Sequence, residues 1–283
     1  MARVTARTLS RPAALALSTH PIPGAAVTVI TLVLCLTVGL DARSTALLTV
    51  AMLANQLSVG WSNDWIDAGR DRAAGRTDKP VARGDISVRA VRLAAFVSAA
   101  IAIALPFLIN PAVGIGHAVF LVSAWSYNAA LKNTVISVLP YIVSFGLLPA
   151  LIGLALPVPS PVAWWAVVAG AAIGIAAHFA NVLPDLTDDD RTGVRGLPHR
   201  LGLRGAGITA FVVLMATAAV TASAAGLPLP VALLGVLVIA ALAVYGVFLV
   251  LRRPPTRVLF QLILVSALVL VVMLALSSQR LLA

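Results

Sequence analysis

Apolar residues run along most of this chain without alternation, broken at intervals by short polar stretches. Nine of the apolar runs are long enough for a helix to cross a hydrocarbon layer of about 30 Å. They cover residues 22–40, 44–63, 89–109, 112–131, 134–156, 161–183, 206–225, 229–251 and 257–278. Continuous rather than every-second apolar positions predict helices, not the strands of a barrel. The expected fold is therefore all-α: a polytopic membrane protein with about nine transmembrane helices. Residues 8–20 predict a short interfacial helix ahead of the first span. The whole chain, 1–283, reads as one membrane domain.

The two longest polar segments are 64–88 and 184–205. Each follows a span, and four spans separate them. An even number puts both on the same side of the membrane.

Composition supports this picture. The chain is 60% hydrophobic and 11% charged, with a mean hydropathy of +1.02. A soluble domain would carry roughly twice that charged fraction. The net charge of +10 raises nucleic-acid binding, but its distribution argues against it. With the N-terminus in the cytoplasm, 18 of the 20 basic residues fall on inside segments, leaving only Arg43 and Arg280 outside. That is the positive-inside bias, so the charge reports orientation. The expectation is an integral protein of the cell membrane, with the N-terminus and both polar segments cytoplasmic and in contact with membrane lipid. Cys35 is the sole cysteine, so no disulfide framework exists. The basic start followed by a full-length span reads as an uncleaved first helix.

The acidic residues carry the candidate chemistry. The chain has ten aspartates and no glutamate, and nine of the ten lie in the two polar segments. Asp64, Asp67 and Asp71 are spaced i, i+3, i+7, which places them within about 60° on one helical face. Asn63 is adjacent. Three carboxylates on one face repel unless a cation neutralises them. In the second segment Asp185 and Asp189 are spaced i, i+4, with Asn181 one turn earlier and His178 nearly two. Pro184 disturbs a helix there. Asp188 is the next candidate ligand, and Asp190 beside Arg191 reads as a salt bridge. Hard oxygen ligands in this pattern suit Mg²⁺. Arg70, Arg72, Arg76, Lys79 and Arg83 accompany the first cluster; Arg191, Arg195 and Arg200 accompany the second. Mixed carboxylates and cations suit a metal–diphosphate complex better than a cation pore.

Asn63-Asp64-x-x-Asp67-x-x-x-Asp71 resembles the first aspartate motif of the UbiA superfamily of intramembrane prenyltransferases. Arg76-Thr77-Asp78-Lys79-Pro80-Val81-Ala82-Arg83-Gly84 resembles the basic segment that follows it. Asp185-x-x-x-Asp189 with Gly193, Arg195, Leu197, Arg200, Leu201 and Gly202 resembles the second motif and its tail. Tyr127 and Lys132 stand where the family commonly has Tyr and Lys at the end of the fourth span. Lys79 departs from the arginine frequent before the proline, and the Asp188–Asp190 run is denser than usual.

The resemblance implies Mg²⁺-dependent transfer of an isoprenyl group from an isoprenyl diphosphate to a small, usually aromatic, acceptor, in a cavity open to lipid. Asp64, Asp67, Asp71, Asp185 and Asp189 would hold metal. Asn63, Lys79, Arg83, Tyr127, Lys132, Asn181, Arg191 and Arg195 would bind diphosphate, and Asp71 or Asp188 would take the acceptor's proton. A terpene cyclase on the same scaffold is the alternative. A cation-coupled transporter fits less well, because these carboxylates lie at span ends rather than mid-membrane. Trp61, Trp65, Trp125 and Tyr127 could face a carbocation; Trp164 and Trp165 read as an interfacial belt.

Overall fold

The computed structural model describes residues 9–183, 186, 194–252, 257–277 and 280–282. The described part is helical throughout, apart from an isolated bridge between Val162 and Leu282. The helices are α1 (Arg11–Leu17), α2 (Pro21–Thr37), α3 (Ala42–Ala73), the single turn α4 (Pro80–Arg83), α5 (Val88–Phe107), α6 (Pro111–Ala129), α7 (Leu139–Leu154), α8 (Trp164–Val182), α9 (Leu197–Ala224), α10 (Leu229–Arg252) and α11 (Arg257–Leu276). A 3-10 turn, Leu131–Asn133, joins α6 to the approach of α7.

Each of the nine apolar runs thus becomes a helix, and α1 is the short helix expected before them. Five helices (α5, α8, α9, α10 and α11) are long and apolar enough to cross a membrane by length and composition, and the bent pair α1–α2 makes a sixth if taken as one span. Two of the others fall short for visible reasons. α7 has 16 residues, because the first residues of its predicted stretch, 134–138, form a bend and turns rather than helix. α3 carries Asn55, Gln56 and the aspartates within its length.

The first polar segment begins as helix, as the spacing of its aspartates predicts. Residues 64–73 are the last turns of α3, which runs unbroken for 32 residues to Ala73. No proline intervenes before Pro80, and ion pairs neutralise the aspartate stripe.

Local sequence sets the ends. Asp41, Ser87 and Asn110 cap α3, α5 and α6 by accepting a hydrogen bond from a backbone N–H of the first turn. Proline occupies the first turn of α1, α2, α6 and α7, where its missing N–H costs no helical bond.

The core is built where α3 packs on α5, α7 on α8, and α9 on α8 and α10. Small residues allow these close crossings. A Cβ on Gly174 of α8 would lie 2.4 Å from the Tyr141 carbonyl oxygen of α7, so only glycine lets these backbones meet. Trp165 does not belong to an interfacial belt. It is 3% exposed and packs in the core, whereas its neighbour Trp164 is 67% exposed.

Candidate functional site

The end of α3 carries the first aspartate cluster inward. Asp64, Asp67 and Asp71 are 1%, 5% and 4% exposed, so the predicted stripe is a buried face. Each carboxylate meets a cation or imidazole. Lys79, held by the turn before α4, places its Nζ 3.2 Å from Asp64 Oδ1 and 2.9 Å from Asp71 Oδ2, and donates to Asn63 Oδ1 at 3.3 Å. Lys132, on the 3-10 turn, donates to Asp67 Oδ1. Arg70 donates to Asp67 Oδ2 at 2.8 Å. His20, from the junction of α1 and α2, sets its Nε2 2.9 Å from Asp64 Oδ1.

The two lysines respond differently to this crowding. Burial works against the charge of Lys79, yet Asp64, Asp71 and Asp67 together hold its pKa above the ordinary lysine value. For Lys132 burial wins. Its pKa is lowered despite Asp67, and the nearby positive charges of Arg70 and Lys79 add to the effect.

His20 reaches Asp64 because α1 folds back over α3. Its backbone sits in the left-handed region at φ 52°. Trp61 Nε1 donates to the Leu15 carbonyl at 2.9 Å. At Gly60 a Cβ would lie 2.1 Å from the Thr19 carbonyl oxygen, so the α1–α2 junction presses on bare α3 backbone.

These side chains wall a polar chamber of about 460 Å³, together with Tyr127, Asn128, Tyr141, His178, Asn181 and the segment from Val194 to His199. A second, apolar cavity of about 250 Å³ lies among α2, α6, α7, α8 and α11. The two share Pro23, Gln56, Val59, Tyr127, Asn128, Tyr141 and Asn181 as wall. A charged compartment and an apolar one therefore adjoin along these residues.

The structure brings together Asn63, Asp67, Asp71, Lys79, Tyr127, Lys132 and Asn181 around the chamber, and Asp64 joins them through His20 and Lys79. Arg83 is not among the chamber walls; it pairs with Asp85. Arg195 is exposed between two wall residues, Val194 and Gly196. Asp185, Asp188, Asp189 and Arg191 lie outside the described residues. Trp61 is tied to Leu15, while Trp65, Phe96 and Trp125 form an aromatic row apart from the chamber. Sequence reasoning missed His20, Asn128 and Tyr141. Asn128 donates to the Val59 carbonyl at 2.9 Å and to Ser62 Oγ at 2.7 Å, bracing α6 against α3 beside Asn63. A polar residue inside an apolar run was the one available signal for it.

Among the described residues no three Asp, His or Cys side chains converge as a ready-made metal site. Cations take up most of the carboxylate oxygens. Asp64 Oδ2, however, is buried without a hydrogen-bond partner, and Asp71 Oδ2 has only the Lys79 ammonium beside it, out of hydrogen-bond geometry. Buried carboxylate oxygens left unsatisfied are costly, and hard oxygen donors are what Mg²⁺ takes. The residues present fit such a cation.

The model of the UbiA prenyltransferase family matches residues 24–268. The chain belongs to this family. Three solved structures share its fold. A UbiA homolog from Archaeoglobus fulgidus bound to GPP and Mg²⁺ is 17% identical, with a TM-score of 0.67 over 94% of this chain and 99% of that one. The apo structure of a UbiA homolog from Aeropyrum pernix K1 is 18% identical, with a TM-score of 0.67 over 94% and 98%. A structure described as digeranylgeranylglyceryl phosphate synthase is 14% identical, with a TM-score of 0.62 over 95% and 98%. No curated protein matches the sequence. UbiA membership and the apolar helices together make this an integral membrane protein.

Proposed function

We propose that this UbiA-family chain transfers an isoprenyl group from an isoprenyl diphosphate to a small aromatic acceptor. It would do so as a nine-span protein of the cell membrane, with both aspartate clusters cytoplasmic. The observation that carries this reading is the adjacency of the two compartments: a charged chamber suited to a diphosphate lies beside an apolar cavity suited to the chain attached to it, with seven wall residues in common. Two of the structural neighbours were solved with GPP or DMAPP and Mg²⁺, which supports the same choice of substrate and metal.

Asp64, Asp67 and Asp71, with Asp185 and Asp189 of the second motif, would hold Mg²⁺. Bound there, the metal would neutralise the diphosphate and ease its departure. Lys79, Lys132 and Arg70 are close enough to the carboxylates to move onto phosphate oxygens as charge develops on the leaving group. Tyr127, Tyr141 and Asn181, on the shared wall, flank the place where the scissile C–O bond would lie. The apolar walls keep water from the allylic cation. The acceptor carbon attacks that cation and then loses a proton, for which Asp71 and Asp188 are the candidate recipients.

The test is incubation of purified protein and Mg²⁺ with geranyl, farnesyl and geranylgeranyl diphosphates, with and without 4-hydroxybenzoate or a dihydroxynaphthoate. Mass spectrometry should find a product containing both partners. A second reading, a cyclase acting on the diphosphate alone, draws support from one observation. Phe120, Tyr127, Tyr141, Phe145 and Phe260 all border the apolar cavity, so the chain's few aromatics are gathered where a folding cation would need them. A cyclic hydrocarbon formed at a rate indifferent to acceptor would establish that reading and end the first.

A further inference from the structure

His178 is fully buried on α8, yet it borders the polar chamber. Its Nε2 lies 3.1 Å from Ser137 Oγ, and that hydroxyl oxygen accepts the Leu197 backbone N–H at 2.9 Å. The Ser137 oxygen has a second lone pair and can also accept from Nε2; when the hydroxyl instead donates its hydrogen to Nε2, the ring hydrogen stands on Nδ1. Nδ1 is buried and has no hydrogen-bond partner. A ring nitrogen in this condition carries an unrelieved desolvation cost until a hydrogen-bonding partner meets it.

The surroundings define what could bring that oxygen. The Tyr141 ring centroid is 4.9 Å from that of His178 and the Tyr127 centroid is 5.5 Å away, while the two tyrosines stand edge-to-face at 5.2 Å. Both tyrosines are on the wall common to chamber and cavity. The arrangement is held from two sides. Gly174, one turn before His178, brings the α8 backbone against Tyr141, and Gly196 lets the approach of α9 close on Ser137, whose Oγ would lie 2.9 Å from a Cβ there.

We infer that His178 is an acceptor-binding residue: its Nδ1–H holds an oxygen of a planar phenol or quinol stacked at Tyr127 and Tyr141. This rests on the prenyl-transfer reading and names the class of its second substrate. The hydrogen bond would orient the ring, so that one carbon rather than the oxygen faces the shared wall.

The experiment separates the two substrates. A non-ionising geranyl thiolodiphosphate and Mg²⁺ are titrated into wild type, His178→Gln and Ser137→Ala, and 4-hydroxybenzoate and 1,4-dihydroxy-2-naphthoate are titrated afterwards. Turnover with geranylgeranyl diphosphate is then measured against acceptor concentration. Both variants should bind the diphosphate analogue as wild type does. His178→Gln should raise the acceptor KM roughly ten- to a hundredfold, Ser137→Ala less. In wild type, the imidazole ¹⁵N shifts of His178 should report an Nδ1–H tautomer that moves on adding acceptor. A His178→Gln protein with unchanged acceptor KM, or a wild type that binds the analogue but neither aromatic, overturns the inference while leaving prenyl-diphosphate binding intact. Failure of wild type to bind the analogue overturns the prenyl-transfer reading itself, and the inference with it.

Discussion

Replacing Lys79 by methionine tests whether the cluster is held by charge. The side chain is 10% exposed, and its ammonium serves Asp64, Asp71 and Asn63 at once. Methionine keeps much of the volume and removes the charge. Breaking a buried ion pair costs about 3–5 kcal/mol, because the remaining charge stays buried and unpaired. Here the loss should sit at the lower end, about 3 kcal/mol. Asp64 retains His20 at 2.9 Å, and Asp71 retains the Arg70 Nε at 4.0 Å. For a chain of this size that amounts to a fall of roughly 6–12 °C in apparent melting temperature.

The assay is thermal unfolding in detergent with EDTA, repeated with excess Mg²⁺. The metal should restore more stability to the variant than to wild type, since it takes over the neutralising role. The pH dependence has a definite sign. The folded-state pKa of Lys79 is raised above 10.5, so its stabilisation is complete below that value and is lost as pH rises through the higher folded value. The gap between variant and wild type should stay flat through neutral pH and close only in strong alkali. A Lys79→Met protein that melts with wild type in EDTA would refute the reasoning.

Asp64→Asn, Asp67→Asn, Asp185→Asn and Asp189→Asn should each lower turnover by about a hundredfold or more, and EDTA should silence the wild type until Mg²⁺ is returned; activity that survives chelation would contradict the metal assignment. A cysteine at the exposed Ala74, in a Cys35→Ala background, should resist an impermeant thiol reagent in intact cells and react after lysis, and early labelling would reverse the proposed orientation. Asp78, whose pKa is lowered to about 2 chiefly by the Arg76 hydrogen bond, contributes stability that is present above the ordinary 3.8 and lost as pH falls towards 2. That carboxylate is 60% exposed, so Asp78→Asn should cost less than about 1 kcal/mol, and a larger loss in melting scans would indicate a buried role.

Helix placement was legible in the sequence because it depends on local apolar runs, and α10 and α11 match their runs almost to the residue. The stripe of Asp64, Asp67 and Asp71 was legible for the same reason, as a property of one helix. What each carboxylate would meet was not. The contacts of His20, Lys79 and Lys132 depend on how helices distant in sequence rotate and cross, and periodicity leaves that open. The lysines expected on phosphate hold aspartates here. Arg83, equally basic, turns instead to its neighbour Asp85. Trp165 shows the same limit, since consecutive tryptophans on one helix project about 100° apart, one buried and one exposed, and the sequence does not say which is in.

The division of labour along the cavity walls bears on how such a protein can change. α11 gives Phe260, Ile263, Leu264, Ala267, Leu268 and Val271 to the apolar cavity and no described residue to the polar chamber. Tyr127 and Tyr141 touch both, so altering either disturbs head and tail of the substrate together. A drift in the side chains of α11 can lengthen, shorten or bend the space for the hydrocarbon while the charged end stays untouched. Under the prenyl-transfer reading, selectivity for chain length is thus free to evolve, or to be engineered, on a helix that gives no described residue to the polar chamber.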